Sequence, residues 1–333
     1  MLFVSVQYTI CRQKIPVSFK SLSRYLKHVF MTWTVNDISD LTDKNVIITG
    51  ANSGIGYATA LELARKNATV ILACRNPTKA DNAIKTLKEQ FPNGSYKYEH
   101  LDLSDLRSVK DFAHKMVKEL KKLDILILNA GIMGTPTKTL TKDGFELHMA
   151  INHFGHFALA GYLSAILIKA PNPRIIAVSS QDAGSINLDD LDYKKGFYLP
   201  MAAYGSSKLA NLLFIFELNR RLKNANSKIS AIAVQPGWTQ TNLQVSSPDA
   251  VSSWFLKSAG TVFAQTPAKG ALPTLFAATS PDAKSGGYYG PGGLLGNGYP
   301  EIIAPPAAAL NEVVAKKLFD ISEMRTNSQF MFK

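Results

Sequence analysis

Residues 46–56 read Val-Ile-Ile-Thr-Gly-Ala-Asn-Ser-Gly-Ile-Gly, an apolar run that leads into a glycine-rich turn. The run predicts a buried strand, and the turn predicts a sharp reversal followed by a helix that begins at about Ser53. Free N–H groups and the positive dipole end at such a helix start favour an anion. In a dinucleotide site, Gly50 would permit the turn, Gly54 would let the backbone approach the phosphates, and Gly56 would let helix and strand pack closely. An ordinary strand-to-helix turn is the alternative.

The composition is typical of a globular enzyme. The chain has 333 residues, of which 46% are hydrophobic and 19% charged, enough for one large α/β domain with a substantial core. Two cysteines, Cys11 and Cys74, cannot build a disulfide framework, which favours a reducing compartment. Because no apolar run reaches about 18 residues, the sequence predicts no membrane span.

The net charge of +12 is uneven along the chain. Residues 1–30 hold five Lys and Arg and no acid. We interpret residues 1–40 as an N-terminal extension, either a mitochondrial presequence or a disordered tail preceding a true start at Met31. The predicted location is the cytoplasm. If residues 1–30 are a presequence, the alternative location is the mitochondrion. The remaining basic residues are scattered without interleaved aromatics, so no nucleic-acid partner is predicted, whereas an anionic cofactor would suit the charge.

Strand-like apolar runs alternate with amphipathic helical segments between about residues 41 and 327. Helices such as Ser104–Leu120 show the 3.6-residue period, and Phe157–Ile168 is typical of a buried helix. This alternation predicts a single-domain, Rossmann-type α/β fold, a doubly wound parallel sheet with helices on both faces. The Pro/Gly-rich stretch Ser285–Pro300 is interpreted as a surface loop. The six predicted strands are Asn45–Thr49, Thr69–Ala73, Tyr96–Leu101, Ile125–Leu128, Arg174–Val178 and Ile229–Val234.

Polar side chains follow most of the predicted strands. Because ligands bind at the carboxyl ends of such sheets, these residues are expected to meet at one site. They are Arg75, Asp102, Asn129, Ser179-Ser180 and Gln235-Pro236-Gly237.

A second motif, Tyr204-Gly205-Ser206-Ser207-Lys208, places Tyr204 and Lys208 at i and i+4 on one helix face. An ammonium near a phenol would lower the pKa of the phenol from about 10 towards the range where general acid–base catalysis is efficient. Such a pair arises about once by chance in a chain of this composition. Its position at the start of a helix before the last predicted strand gives it weight.

Together these motifs resemble the short-chain dehydrogenases/reductases. The resemblance covers about residues 41–325, and the glycine spacing is that of the shorter, single-domain members. The run Asn152–Phe157 and the segment Tyr204–Asn211 resemble the retinol dehydrogenase and protochlorophyllide reductase-like branch. The resemblance rests on the following motifs, which occur in the order seen in the family: Thr49–Gly56, Asn129-Ala130-Gly131, Ser180, Tyr204-x-x-x-Lys208 and Pro236-Gly237.

The resemblance implies a catalytic set of Tyr204, Lys208, Ser180 and Asn152. Tyr204 would be the general acid in reduction and the base in oxidation, and Lys208 would lower its pKa and bind the nicotinamide ribose. Ser180 would hydrogen-bond the substrate carbonyl, with Ser179 as the alternative. Asn152 would hold a water in a proton relay to Lys208, or would only cap or brace its helix.

The resemblance also implies a nicotinamide dinucleotide. No acid ends the second strand, and Arg75 can present its guanidinium to a 2′-phosphate, so NADP(H) is preferred. The alternative is that Arg75 stacks on adenine with either cofactor, and NAD(H) is then also possible. Asp102 would bind the adenine edge, or belong to a helix cap at Ser104, and Thr239 would contact the carboxamide. The implied cofactor-binding residues are Gly50, Asn52, Ser53, Gly54, Ile55, Gly56, Arg75, Asp102, Leu103, Asn129, Ala130, Gly131, Tyr204, Lys208, Pro236, Gly237 and Thr239.

The substrate-binding part of the site is harder to predict from the sequence. Ser180 and Tyr204 are 24 residues apart, and the insert Asn187–Pro200 between them is predicted to shape the substrate mouth. The apolar segment 238–265 is either a lobe over a lipophilic substrate or core packing.

The predicted function is therefore an NAD(P)H-dependent oxidoreductase that interconverts a carbonyl and an alcohol on a small lipophilic molecule. The alternative is a catalytically silent dinucleotide-binding protein. His153 and His156 are expected to be packed histidines, and no metal is predicted. The resemblance implies that a homodimer could form through helices at about 143–170 and 203–223, whose apolar faces could equally be intrachain core.

Overall fold

Eight strands form one sheet in the computed structural model, which describes residues 33–195, 197–237, 265–293 and 298–333. Their order is β3-β2-β1-β4-β5-β6-β7-β8, and neighbouring strands are parallel except for the antiparallel pair β7 and β8. The predicted doubly wound parallel sheet is confirmed. The strands are β1 Asn45–Thr49, β2 Thr69–Cys74, β3 Tyr96–His100, β4 Ile125–Leu128, β5 Arg174–Val178, β6 Ser230–Val234, β7 Tyr288–Pro291 and β8 Pro300–Ile302.

Helices cover both faces of the sheet, which is why the central strands are apolar on both sides. Val46, Ile47 and Ile48 of β1 have no solvent exposure. A π-helix, Met149–Phe154, runs directly into α4. None of the helices in the described ranges is long and apolar enough to cross a bilayer. The α-helices are α1 Gly54–Arg65, α2 Pro77–Gln90, α3 Leu106–Glu119, α4 Gly155–Leu167, α5 Pro200–Asn224, α6 Pro267–Thr279 and α7 Glu312–Thr326.

Asp105, and not Ser104, caps helix α3. The Asp105 side chain accepts a hydrogen bond from the Arg107 N–H, 3.0 Å away. Ser104 instead donates its N–H and its hydroxyl to Oδ1 of Asp102, at 2.9 and 2.6 Å. The alternative of a cap at Ser104 is therefore wrong, because that side chain closes the turn after β3.

The stretch Ser285–Pro300 is not a surface loop as predicted. Its central residues form β7, which extends the sheet beyond β6 by pairing Tyr288 with Ala233 and Tyr289 with Val234. All four residues of β7 are buried. Glycines flank this short strand, and Gly290 and Pro291 lie within it, so its sequence does not look like a strand. The contacts that stabilise it come from a distant part of the chain.

Helix α7 and the residues after it cover α4 and α5. The ring of Phe319 on α7 lies 4.9 Å from that of Phe157 on α4, measured between centroids. Phe330, beyond the end of α7, lies 5.2 Å from Phe157. The apolar faces of the helices at 143–170 and 203–223 are thus intrachain core, the second of the two interpretations.

Candidate active site

A cleft of about 590 Å³ opens at the carboxyl ends of the parallel strands. Sixteen of its lining residues were singled out from the sequence, whereas Ser180, Asn152 and Gly237 do not line it. Thr239 and nearly all of the segment 238–265 lie outside the described residues. The predicted residues that line the cleft are Gly50, Asn52, Ser53, Gly54, Ile55, Gly56, Arg75, Asp102, Leu103, Asn129, Ala130, Gly131, Ser179, Tyr204, Lys208 and Pro236.

The glycine turn has the geometry expected of a phosphate-binding loop. Gly50 and Gly54 have φ angles of +67° and +58°, in the left-handed region that glycine adopts at little cost. A Cβ on Gly56 would lie 2.5 Å from both the Gly50 carbonyl oxygen and Nδ2 of Asn129. Ser53, at the N-cap of α1, makes no capping hydrogen bond through its side chain to any described residue. The first N–H groups of α1 are therefore available to an anion.

Thr49, at the end of β1, ties the turn to the loop after β4. Its hydroxyl accepts hydrogen bonds from the N–H groups of Asn129 and Ala130, both at 2.9 Å. The same hydroxyl lies 2.8 Å from Nε2 of His156, so we assign it as the donor in that contact. Nδ1 of His156 then carries the proton and donates to the Asn152 carbonyl, 3.0 Å away. Burial lowers the pKa of His156 to about 3, which keeps this ring neutral.

His153 and His156 are both packed, as expected. Nε2 of His153 lies 2.9 Å from the hydroxyl of Ser322 on α7, on the side of the π-helix away from the cleft. Burial lowers the pKa of His153 to about 3.

Asn152 sits in the π-helix and braces two other elements. Its Oδ1 accepts from the Ile132 N–H at 2.9 Å, and its Nδ2 donates to the Ile132 carbonyl at 3.1 Å and to the hydroxyl of Ser207 at 2.9 Å. A Cβ on Gly131 would lie 3.2 Å from Oδ1 of Asn152 and 3.3 Å from Nζ of Lys208. Asn152 and Lys208 therefore converge on one glycine, and Asn152 connects the loop after β4 to helix α5.

Tyr204 and Lys208 lie in the first half of α5, and both are buried. Nζ of Lys208 donates to the Val178 carbonyl at 3.1 Å and lies 5.9 Å from the centre of the Tyr204 ring. Burial lowers the pKa of Lys208 to about 8.

The pKa of Tyr204 departs from its usual value in the opposite direction to our expectation. Burial raises it, although a hydrogen bond with Ser180 acts to lower it. Among the described residues, Lys208 does not lower the pKa of Tyr204 as expected, because its ammonium donates to the Val178 carbonyl instead. A neutral Tyr204 carries the proton that a general acid must donate.

The two serines after β5 have different environments. The hydroxyl of Ser179 is buried and donates to the Lys208 carbonyl at 2.7 Å, so it anchors helix α5. The hydroxyl of Ser180 faces Tyr204 and accepts from the Asp182 N–H at 3.1 Å. Of the two hydroxyls, that of Ser180 is the one that hydrogen-bonds Tyr204.

The far end of the cleft is basic. Arg75 follows β2 and is exposed, and Lys79, which sequence reasoning missed, lines the same region. The Asn76 side chain caps α2 by accepting from the Lys79 N–H at 2.9 Å, which fixes the first turn of that helix. Asp102 is the one carboxylate among the described residues that line the cleft. This donor set fits an anionic dinucleotide.

The model of the short chain dehydrogenase family matches residues 44–251. The chain belongs to the short-chain dehydrogenase family. It is 38% identical to mouse retinol dehydrogenase 14 over 84% of this chain and 85% of that protein, and 38% identical to human retinol dehydrogenase 13 over 83% and 82%. It is also 35% identical to the WW domain-containing oxidoreductase of Gallus gallus over 87% of this chain and 70% of that protein. These relatives place the chain in the retinol dehydrogenase-like branch.

Solved structures share the fold. An uncharacterised protein from Mycobacterium paratuberculosis is 39% identical, with a TM-score of 0.74 over 90% of this chain and 99% of that chain. A short chain dehydrogenase from Shigella flexneri, complexed with NADP, shares the fold at 23% identity, with a TM-score of 0.57 over 74% of this chain and 96% of that chain. The protein is thus a nicotinamide-dependent oxidoreductase that interconverts carbonyl and alcohol groups, and none of these comparisons favours the silent alternative.

Proposed function

We propose that this protein is an NADP(H)-dependent reductase of lipophilic aldehydes or ketones, and a dehydrogenase of the corresponding alcohols. The observation that supports the proposal is a single cleft lined both by Tyr204 and Lys208 of α5 and by Arg75 and Lys79, which follow β2. A single dinucleotide could thus place its nicotinamide beside the proton donor and its adenosine phosphate beside two cations.

The preference for NADP(H) rests on the charges at the end of β2. Arg75 can form charge-assisted hydrogen bonds to a 2′-phosphate, and Lys79, in the first turn of α2, adds a second cation. A carboxylate in this place would repel that phosphate, and Cys74-Arg75-Asn76 contains none. NAD(H) is the competing cofactor, with Arg75 stacked on the adenine.

The cofactor, when bound, supplies or accepts a hydride. Tyr204 donates a proton to the carbonyl oxygen, and Ser180 hydrogen-bonds the same oxygen and orients it. Lys208 binds the nicotinamide ribose and, once its ammonium turns from the Val178 carbonyl, favours the phenolate form of Tyr204. Asn152 holds the relay water beside Lys208, since both side chains converge on Gly131.

The remaining cofactor contacts follow the same division of the cleft. The N–H groups at the start of α1 bind the pyrophosphate, and Asp102 with Leu103 binds the adenine edge. Asn129, Ala130 and Gly131 line the cleft and would pack beside the cofactor. Pro236 and Gly237 follow β6, and Thr239 is assigned to the carboxamide on the family resemblance alone.

A lipophilic substrate is supported by the insert Asn187–Pro200 and the residues next to it. Phe197 is 97% exposed, and Leu199 and Met201 are more than half exposed, within seven residues of Tyr204. The segment 238–265 is also rich in apolar side chains. Relatives named retinol dehydrogenases make retinal a rational first substrate to test.

The proposal is tested with the purified full-length chain and a panel of aldehydes and ketones that includes retinal, hexanal and a charged sugar aldehyde. NADPH or NADH consumption is followed spectroscopically, and the alcohol product is identified by chromatography. We expect turnover of the apolar members with NADPH at a higher kcat/KM than with NADH. Turnover of the charged aldehyde alone would contradict the lipophilic assignment, and equal use of both cofactors would contradict the NADP(H) preference.

We propose residues 41–327 as the catalytic domain and the cytoplasm as its location, on composition alone, with a mitochondrial location as the alternative. Residues 34–40 and 328–333 belong to the same compact unit as this domain. Residues 1–30, on which targeting would depend, lie outside the described residues. A fluorescent fusion of the full chain and one that begins at Met31 should have the same cytoplasmic distribution. A mitochondrial signal present only in the full-length fusion would establish the alternative.

A further inference from the structure

A buried polar cluster lies beside Tyr204 and has no role in the proposed catalytic set. Glu146 and His148 precede the π-helix, and both side chains have no solvent exposure. Tyr198, from the insert before α5, reaches the same place, and its hydroxyl lies 3.0 Å from that of Thr135. Buried ionisable side chains next to a reacting group are costly to retain, which makes this cluster a candidate for function.

Glu146 is held in its ionised form by three donors. Nδ1 of His148 lies 2.8 Å from Oε1, the hydroxyl of Tyr198 donates to the same oxygen at 3.0 Å, and the N–H of Met149 donates to Oε2 at 2.9 Å. Burial alone would raise the pKa of Glu146, but these hydrogen bonds outweigh it and the pKa is lowered. Because the carboxylate can only accept, Nδ1 of His148 must carry a proton.

This bond fixes the orientation of the His148 ring against Tyr204. The two rings meet edge to face, with centroids 6.4 Å apart and an angle of 70° between their planes. Nε2 of His148 is buried and has no hydrogen-bond partner among the described residues.

Glu146 is also held in place by contacts from two distant parts of the chain. Oδ1 of Asp192, in the insert, accepts from the Glu146 N–H at 3.1 Å. Oδ2 of Asp192 accepts from Nη2 of Arg325 on α7 at 2.6 Å. The Arg325 guanidinium in turn stacks 4.4 Å from the centre of the Phe145 ring. Glu146 is therefore held more rigidly than a surface carboxylate would be.

We propose that Glu146 and His148 form a dyad that holds the Tyr204 ring in the orientation needed for proton transfer. His148 is the positioning residue, because it contacts Tyr204, and Glu146 fixes the His148 ring. The inference rests on the proposed function, in which Tyr204 is the proton donor. It also explains why the insert carries a tyrosine at position 198, since the hydroxyl of Tyr198 supports the same carboxylate oxygen as His148.

The test compares His148→Asn with a matched control, His153→Asn. Asn retains an N–H near the position of Nδ1 but removes the ring edge that faces Tyr204. His153 is also buried, and its Nε2 contacts the hydroxyl of Ser322 on α7. Its ring packs against phenylalanines and not against Tyr204. We expect His148→Asn to lower kcat about 10- to 100-fold, the usual effect of a small misplacement, with the Kd for NADPH unchanged. His153→Asn should leave kcat near wild type even if it lowers Tm.

A second readout does not depend on turnover. In protein labelled with 13Cζ-tyrosine, the Tyr204 resonance is identified by its loss in Tyr204→Phe. His148→Asn should shift that resonance, whereas His153→Asn should leave it in place. An unchanged Tyr204 resonance together with wild-type kcat in His148→Asn would overturn the proposal. If the wild-type protein reduces no carbonyl, the proposed function fails, and the Tyr204 resonance in the Glu146 variants below, which keep the His148 ring, still decides whether the pair orients Tyr204.

Two variants of Glu146 cover the case in which His148→Asn does not fold. Glu146→Gln keeps an acceptor for Nδ1 of His148, and it should retain more kcat than Glu146→Leu, which keeps none. The Tyr204 resonance should follow the same order. Equal kcat and equal resonances in Gln and Leu variants that bind NADPH normally would contradict the role assigned to the dyad.

Discussion

Replacing Lys208 with Met should stabilise the protein without cofactor at neutral pH. Lys208 is buried, and desolvation lowers its pKa from 10.5 to about 8. The folded state therefore binds the proton of this amine more weakly than the unfolded chain does. At any pH below both values, holding the charge inside the protein costs stability, and methionine of similar length avoids that cost.

The magnitude follows from the two pKa values. Their difference of about 2.5 corresponds to about 3 kcal/mol of lost stability at pH 7, since each pKa unit is worth about 1.4 kcal/mol. Between pH 8 and 10.5 the unfolded chain binds more protons than the folded one, so the stability of the wild-type protein rises relative to Lys208→Met. The advantage of the variant should fall to about 1.4 kcal/mol at pH 9.5.

The assay is urea unfolding of both proteins without cofactor at pH 7 and at pH 9.5, followed by far-UV circular dichroism. Saturating NADPH provides the control, because it should stabilise the wild type more than the variant if Lys208 binds the ribose. An advantage of Lys208→Met that stays constant with pH would refute the reasoning, as would a wild-type protein that is the more stable one at pH 7.

Two further substitutions test the cofactor end of the cleft. Arg75→Ala should weaken NADPH binding about 10- to 100-fold and NADH binding much less, because a charge-assisted phosphate contact is lost, and fluorescence titration with both cofactors measures this. Equal losses would mean that Arg75 does not contact the 2′-phosphate. Gly56→Ala should abolish tight NADPH binding and cost about 1–3 kcal/mol of stability, because its Cβ would lie 2.5 Å from the Gly50 carbonyl oxygen. Gly184→Ala, whose Cβ has no neighbour closer than 3.7 Å, is the control, and similar losses in both variants would contradict the close-packing argument.

Local patterns predicted the parts of the site that are local in the chain. The β1–turn–α1 unit could be predicted because the glycines and the apolar run are adjacent in sequence, and their φ angles and contacts fit that interpretation. Tyr204 and Lys208 share one helix, so their spacing alone places them together. Strand β7 was missed because its signal is four residues flanked by glycines, and its pairing with β6 is a long-range contact.

The buried dyad shows what sequence patterns could not reveal. Glu146 and Tyr198 are 52 residues apart, and Asp192 and Arg325 are 133 apart, so no period or motif connects them. Tyr204 itself carries a pKa raised by burial, whereas its sequence neighbour Lys208 suggested a lowered one. Burial depth and the direction of an ammonium depend on the packed fold, and these decide the protonation of the site before cofactor binds.

The central claim is that Tyr204 is the proton donor of a nicotinamide-dependent carbonyl reductase. The most direct test is single-turnover reduction of an apolar aldehyde by Tyr204→Phe saturated with NADPH, beside a titration of NADPH binding. The account predicts that the rate falls about 100- to 10,000-fold while the Kd for NADPH changes little, because only the phenolic hydroxyl, and with it the proton donor, is removed. A variant that reduces the aldehyde at close to the wild-type rate would contradict the account.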